Sequence, residues 1–577
     1  MAENDNLSMP RDMDAFFHAV QGRITLNVSP VAVSLAFWDW YLHFLNSPGS
    51  MTNNALRMMR TLEKIGGRTT ELVLHGTHEK KERLLWDERF KDPLWEKEPF
   101  RTLYKSFLGI QKWWQDISRD VSGVTPHHND VVSFVGKQIL DMMSPANFLH
   151  TNPEVLSLTL EKGGANLVAG TFNFLEDLGR TIRGEKPPGS ETFQVGKNVA
   201  ITPGRVIYRN RLMELIQYNP KTPKVFHEPV LIIPAWIMKY YILDLSPHNS
   251  LVKYLVENGH TVYMISWKNP DQRDRHMDME DYLEMGVMNA LDVITEISPE
   301  RRIHAVGYCL GGTLSAIASA AMARDGDSRL KTLTLLATQV DFTEAGELML
   351  FIDEAQVTYL EDIMNSQGYL DTRQMAGAFQ ILRSNDLIWS RMVHDYLIGQ
   401  RKSFNDLMAW NADTTRMPYK MHSRYLRELF LNNDLFEGRF LVGGRPVVIS
   451  DIHAPVFIVS TEKDHVAPWT SVYKFHLVSD AQSVTFALTS GGHNAGIISE
   501  PGHRGRHYRI STVTDRECYV PPDLWYRQTP VTEGSWWIPW SRWLLGHSGM
   551  KDLPPGDAHC LEGELPYAAP GRYVMAP

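Results

Sequence analysis

Hydrophobic and polar positions follow two different rhythms along this chain, and the change of rhythm divides it. Up to about residue 185, apolar residues recur at three- and four-residue spacing, as in Val31 to Leu45 and Pro99 to Ile117, which predicts helices with one buried face. No strand-helix alternation is visible there. The stretch Arg183-Gly184-Glu185-Lys186-Pro187-Pro188-Gly189-Ser190 combines glycine, proline and charge, the composition of a linker or exposed loop. It is expected to close a mainly helical N-terminal domain, 1–185, and to precede a second domain, 190–577.

Beyond that boundary the period shortens. Arg205 to Tyr208 and Leu212 to Tyr218 flank Arg209-Asn210-Arg211 as a hairpin would, and Val230 to Ile233 ends at Pro234 like a buried strand. Thr261 to Trp267 is another β-rich run. Leu283, Val287, Leu291, Ile294 and Ile297 then mark one face of a helix introduced at Asp278 and stopped before Pro299. Ile303 to Gly307 reads as a strand, Thr313 to Arg324 as an alanine-rich helix, and Leu333 to Val340 as a strand. Such alternation implies right-handed crossovers and a parallel sheet with helices on both faces, an α/β fold. From about Thr343 to Asp451 the alternation gives way to long helical pieces rich in aromatics and methionine, and it resumes at Pro455 to Val459 and at Val484 to Leu488, the last strand expected. The insertion, about 343–451, reads as a cap over the carboxyl edge of the sheet, where α/β sheets bind ligands.

Composition narrows the function classes. The 577 residues include 58 Lys and Arg against 67 Asp and Glu, a formal charge of −9, so no basic surface for nucleic acid is indicated. Hydrophobic residues at 43% and charged ones at 22% are those of a globular chain. The three cysteines, Cys309, Cys518 and Cys560, form neither a disulfide framework nor a CxxC pair, so no metal site is expected and a reducing cytoplasm fits. Neither a signal peptide nor a membrane-spanning run is recognisable. Trp113-Trp114 and the run Trp536-Trp537-Ile538-Pro539-Trp540 read as core packing.

Gly307-Tyr308-Cys309-Leu310-Gly311-Gly312 lies between an expected strand and an expected helix, the setting of a nucleophile elbow G-x-S-x-G with Cys in place of Ser. The flanking glycines let strand and helix approach closely around a strained nucleophile, and the helix N-terminus favours a thiolate. In an α/β-hydrolase fold the acid and then the histidine should follow, each just past a later strand. Asp464 occupies the first position, in Thr461-Glu462-Lys463-Asp464-His465, and His493 the second, in Thr489-Ser490-Gly491-Gly492-His493. His465 is read as a local packing or loop-supporting residue, Glu462 as a rival two residues before Asp464, and the pair His75-Gly76 is set aside because it lies far ahead of the sheet. The oxyanion donors expected are the backbone N–H groups of Leu310, directly after the nucleophile, and Ile237, with Trp236 or Met238 as alternatives for the second.

These motifs have a family context: the chain resembles the polyhydroxyalkanoate synthases, most of all their class I members. The resemblance spans nearly the whole chain. It is carried by Ser144-Pro145-Ala146-Asn147-Phe148-Leu149, Thr151-Asn152-Pro153-Glu154, Lys239 to Leu245, Ser266-Trp267-Lys268-Asn269-Pro270, Gly307 to Gly312, Asp464-His465-Val466-Ala467-Pro468-Trp469, Gly492-His493 and Ala569 to Val574. It implies a Cys-His-Asp polymerase of (R)-3-hydroxyacyl-CoA, with no cofactor because the CoA thioester is itself the substrate. The enzyme is expected to be a cytoplasmic homodimer that stays on its polyester granule. Ala235 and Met238 stand where the family usually has Pro and Asn, and Asn494 stands where an aliphatic residue is usual. These departures touch the pocket wall.

The chemistry supports that expectation independently. A thiol that takes an acyl group from a thioester forms another thioester at nearly equal free energy, leaving it activated for transfer to a hydroxyl. Water must be kept out, and Trp389, Tyr396, Trp410 and Phe430 in the insertion are candidates for that role or for the cap's own core. The alternatives are a hydrolase with a cysteine nucleophile, such as a thioesterase or polyester depolymerase, and a granule-coating protein with a decayed site. Bulky Tyr308 and Leu310 beside the nucleophile suggest a preference for short acyl chains.

Overall fold

The computed structural model describes residues 8–75, 87–119, 121–299, 301–371, 374, 384–514, 518–551, 553 and 566–576. The chain forms two compact units, one of Met1–Val20, Gly189–Gln374 and Phe404–Pro577, the other of Gln21–Pro188 and Met375–Ser403.

The second unit is helical. Pro30–Leu45, Phe100–Arg119, Pro126–Met142, Pro153–Glu161 and Ala165–Arg183 are its main helices, with Pro at the first turn of three of them. One of its cores gathers Phe90, Trp95, Tyr104, Phe107 and Ala146. Residues 384–403, from within the stretch expected to be a cap, pack on the helix Ala165–Arg183. There Gly170 lies so close to Tyr396 O that a Cβ would sit 1.8 Å from it, and the side-chain amides of Asn166 and Asn173 donate to Leu397 O and Asp395 O at 2.7 and 2.8 Å.

The first unit is built on an eleven-stranded sheet: β1 (Gly204–Arg209), β2 (Met213–Tyr218), β3 (Val230–Ile233), β4 (Val262–Trp267), β5 (Ile303–Tyr308), β6 (Leu330–Leu336), β7 (Val456–Thr461), β8 (Ser483–Thr489), β9 (His507–Thr514), β10 (Thr532–Glu533) and β11 (Tyr567–Ala568). Their order is β10-β9-β8-β7-β6-β5-β3-β4-β2-β1-β11. The six central strands run parallel, and β2, β1, β11, β9 and β10 are antiparallel to their neighbours. This is an α/β-hydrolase fold. β3, β4, β5 and β7 are buried along their whole length, which is why they read as mostly apolar runs rather than alternating ones.

Four differences from the sequence reading stand out. The sheet is mixed, not wholly parallel, because the chain adds antiparallel strands at both edges. β8 is followed by β9, whose half-exposed sequence HYRISTVT carries too much polarity to stand out as a strand. β6 begins earlier and stops at Leu336, since Ala337 turns to φ 48° and brings Thr338 under the elbow. Among the described residues the insertion is also made of short pieces, such as the helix Glu354–Gln367, which starts at an Asp353 cap and ends at Gly368.

Candidate active site

Cys309 sits where β5 turns into the buried helix Leu310–Arg324, at φ 52° and ψ −124°, a conformation an L-residue keeps only when its surroundings enforce it. The enforcement comes from three glycines. A Cβ on Gly307 would lie 2.4 Å from Gly312 Cα, one on Gly311 2.3 Å from Ile233 O, and one on Gly312 1.8 Å from Thr338 Oγ1. Strand, helix and the end of β3 therefore meet at a distance that admits no side chain at these positions. Cys309 N donates to Leu336 O at 2.8 Å, and Thr338 Oγ1 lies 3.2 Å from Cys309 O. The residue is half-buried.

The carboxyl ends of β7 and β8 bring the other two candidates to the same edge. His493 Nε2 lies 3.2 Å from Cys309 Sγ, and His493 Nδ1 lies 2.8 Å from Asp464 Oδ2. A carboxylate accepts only, so Nδ1 carries the hydrogen of that bond and Nε2 faces the sulfur with its lone pair when the ring is neutral. The other Asp464 oxygen accepts the Val466 and Ala467 amides at 2.9 and 2.8 Å, which fixes the carboxylate in a fully buried position. Burial pushes the Asp464 carboxyl upward, but the adjacent His493 and those two amides outweigh it and hold it below the ordinary value. For His493, burial acts downward, and Asp464 together with the Cys309 sulfur raises it well above the ordinary imidazole value.

The remaining sequence candidates fall elsewhere. His465 is exposed and Glu462 faces His507, with 3.2 Å between Oε2 and Nε2. Cys518 is exposed; Cys560 and Gly76 lie outside the described residues. Leu310 opens the helix, where main-chain amides have no intrahelical acceptor. Ile237 belongs to the loop after β3. Trp536, Trp537 and Trp540 are buried, as are Trp410 and Phe430. Among the described residues no cluster of three or more His, Cys, Asp or Glu is placed to hold a metal ion, and no helix is long and apolar enough to cross a membrane.

Sequence reasoning missed two supports of this site. Tyr308 OH, buried beneath the elbow, donates to Asn494 Oδ1 at 2.6 Å, which ties the residue before the nucleophile to the residue after the histidine. The departure at Asn494 was the available signal, since a polar residue beside a buried tyrosine invites pairing. Arg506 clamps the histidine loop by donating to the carbonyls of Ser490, Ala495 and Ile498 at 3.2, 2.5 and 3.3 Å. It comes from the start of the strand region that polarity concealed.

Known proteins resemble this chain over most of its length. Family models described as poly-beta-hydroxybutyrate polymerase N terminal, poly-beta-hydroxybutyrate polymerase (PhaC) N-terminus and alpha/beta hydrolase fold match residues 8–50, 86–255 and 228–497. The chain is 41% identical to a poly(3-hydroxyalkanoate) polymerase of Methylorubrum extorquens over 89% of this chain and 84% of the relative. It is 38% identical to a poly(3-hydroxyalkanoate) polymerase subunit of Cupriavidus necator over 77% of this chain and 75% of the relative. Among solved structures, a Paleococcus ferrophilus monoacylglycerol lipase aligns over 58% of this chain and 99% of its own, at 11% identity and a TM-score of 0.32. The chain belongs to the poly(3-hydroxyalkanoate) polymerase family, enzymes of the acyltransferase type.

Proposed function

We propose that this enzyme polymerises (R)-3-hydroxyacyl-CoA into polyester through a covalent acyl group on Cys309. The observation that carries the proposal is the alignment of Cys309 Sγ, His493 and Asp464 at 3.2 and 2.8 Å on the carboxyl edge of the sheet. His493 Nε2 takes the Sγ proton as sulfur attacks the thioester carbonyl. The negative charge on the carbonyl oxygen is met by the Leu310 and Ile237 amides; collapse expels CoA, which leaves with the proton held by His493. The product is an acyl-Cys309 thioester. A hydroxyl at the end of a 3-hydroxyacyl chain then gives its proton to His493 and attacks the acyl carbonyl; the ester forms, and the Cys309 sulfur leaves and recovers the proton. Asp464 keeps Nδ1–H in place and stabilises the imidazolium in both halves, without being protonated itself.

The scheme requires no cofactor beyond the CoA thioester that serves as substrate. Its partners are acyl-CoA, the growing polyester and the granule surface, at which the enzyme works as a cytoplasmic homodimer. Incubation with 3-hydroxybutyryl-CoA tests the reading. CoA release with insoluble polyester supports it; CoA release with free 3-hydroxybutyrate assigns a thioesterase instead.

A further inference from the structure

The second oxyanion amide is held from the cap side by one buried threonine. Thr415, which comes from the inserted segment, is 2% exposed. Its hydroxyl donates to Trp236 O, its main-chain N donates to Ile237 O at 3.2 Å, and its neighbour Thr414 bridges Met238 in antiparallel fashion. At the far end of the loop, Trp410 Nε1 donates to Lys239 O at 2.7 Å, while the near end is pinned by the approach of Gly311 to Ile233 O and Pro234 O. The loop after β3 thus has both ends fixed and its middle gripped at consecutive carbonyls.

A trans peptide is planar, and its C=O and N–H point in opposite directions. The peptide that joins Trp236 to Ile237 presents its oxygen to Thr415, so its N–H, that of Ile237, is turned away from the cap strand. Rotating that peptide would break a buried hydrogen bond and leave Trp236 O without its partner, which is costly. We infer that Thr415 is a positioning residue that aims the Ile237 amide at the developing oxyanion. Thr415 acts through the peptide, and the inference rests on the oxyanion role proposed above.

Thr415→Val keeps the shape and the main-chain N–H but removes the hydroxyl donor, whereas Thr415→Ser keeps the donor. The measurement is single-turnover acylation of the full chain by 3-hydroxybutyryl-CoA in a quenched-flow experiment, with the rate and the half-saturating concentration determined separately. Misaiming one oxyanion donor is expected to slow acylation by roughly 10- to 100-fold in Thr415→Val with half-saturation unchanged, and Thr415→Ser should stay within about threefold of wild type. A wild-type rate in Thr415→Val, equal slowing in both variants, or a change confined to half-saturation would overturn the inference. If Thr415→Val does not fold, Trp410→Phe decides: it frees the other end of the loop and should slow acylation at unchanged half-saturation, and a wild-type rate there counts against the inference. Cys309→Ala separates the two layers. Acylation that survives in Cys309→Ala removes the nucleophile assignment itself, whereas its loss alongside a fast Thr415→Val removes only the positioning role.

Discussion

Gly311→Ala is the perturbation that most directly couples the fold to the chemistry. The added Cβ would stand 2.3 Å from Ile233 O, 2.5 Å from Pro234 O and 2.6 Å from Pro234 C, all of them main-chain atoms. Heavy atoms do not settle below about 3.0 Å of a Cβ, so helix start and strand end must separate by at least about 0.7 Å. The side chain cannot swing aside, because a Cβ has no rotamer. Overpacking of this kind costs about 1–3 kcal/mol, a few degrees in melting temperature at most for a chain of this size. The larger effect is catalytic. The helix start carries Cys309 and the Leu310 amide, while the strand end leads into the loop that carries the Ile237 amide, so the separation widens the gap between the two amides proposed to meet the oxyanion. A misplacement near 1 Å costs on the order of 100-fold in rate. Acylation by 3-hydroxybutyryl-CoA should therefore fall about 100-fold in a variant that still melts cooperatively. A folded Gly311→Ala enzyme with wild-type acylation would refute the argument that this close approach sets the geometry of the site.

Other expectations follow from the same geometry. Asp464→Asn should keep the fold while acylation drops by about 10⁴, because an amide favours the wrong tautomer and cannot stabilise imidazolium; His465→Ala, at an exposed position, should change the rate less than threefold, and a reversal of the two effects would move the acid by one residue. The stability lost in Asp464→Asn should depend on pH. The depressed Asp464 value contributes above the ordinary carboxylate value of about 3.9 and is lost as pH falls through the folded value, while the raised His493 value contributes below about 6.5 and is lost as pH rises through its folded value. The difference in melting temperature between wild type and variant should thus peak between roughly pH 4 and 6.5, and a difference that grows toward alkaline pH contradicts it. The short-chain preference expected from bulky Tyr308 and Leu310 beside the nucleophile predicts that kcat/KM favours 3-hydroxybutyryl-CoA over 3-hydroxydecanoyl-CoA, each misfitting methylene being worth about 1–3 kcal/mol; preference for the longer chain removes the short-chain assignment.

How far the sequence alone reaches can be seen at particular residues. β3, β5 and β7 were legible because strands covered on both faces are mostly apolar, and the elbow because its glycines answer a steric demand that few other turns make. Asp464 and His493 were singled out by their place after β7 and β8, not by residue type, since the chain has 22 histidines, and the structure brings them within 2.8 Å of each other. What stayed hidden depends on contacts between distant segments. Thr415 meets Trp236 across 179 positions and Tyr308 meets Asn494 across 186, and no local period signals such pairs. The strand His507–Thr514, next to the sheet edge, alternates too weakly to be recognised, because it is only half buried and admits Arg509, Ser511 and Thr512. The division of the inserted stretch between the two units likewise rests on hydrogen bonds such as that from Asn166 to Leu397, which spacing does not encode.

The most direct test of the central claim is to mix the protein with 3-hydroxybutyryl-CoA, quench, and locate the bound acyl mass by peptide mass spectrometry while assaying the remainder for polyester. The account predicts a 3-hydroxybutyryl mass on the peptide that contains Cys309, insoluble polyester in the wild type and in a Cys518→Ala, Cys560→Ala double variant, and neither acyl mass nor polymer in Cys309→Ala. Acylation at another residue, or polymer made by Cys309→Ala, would contradict it.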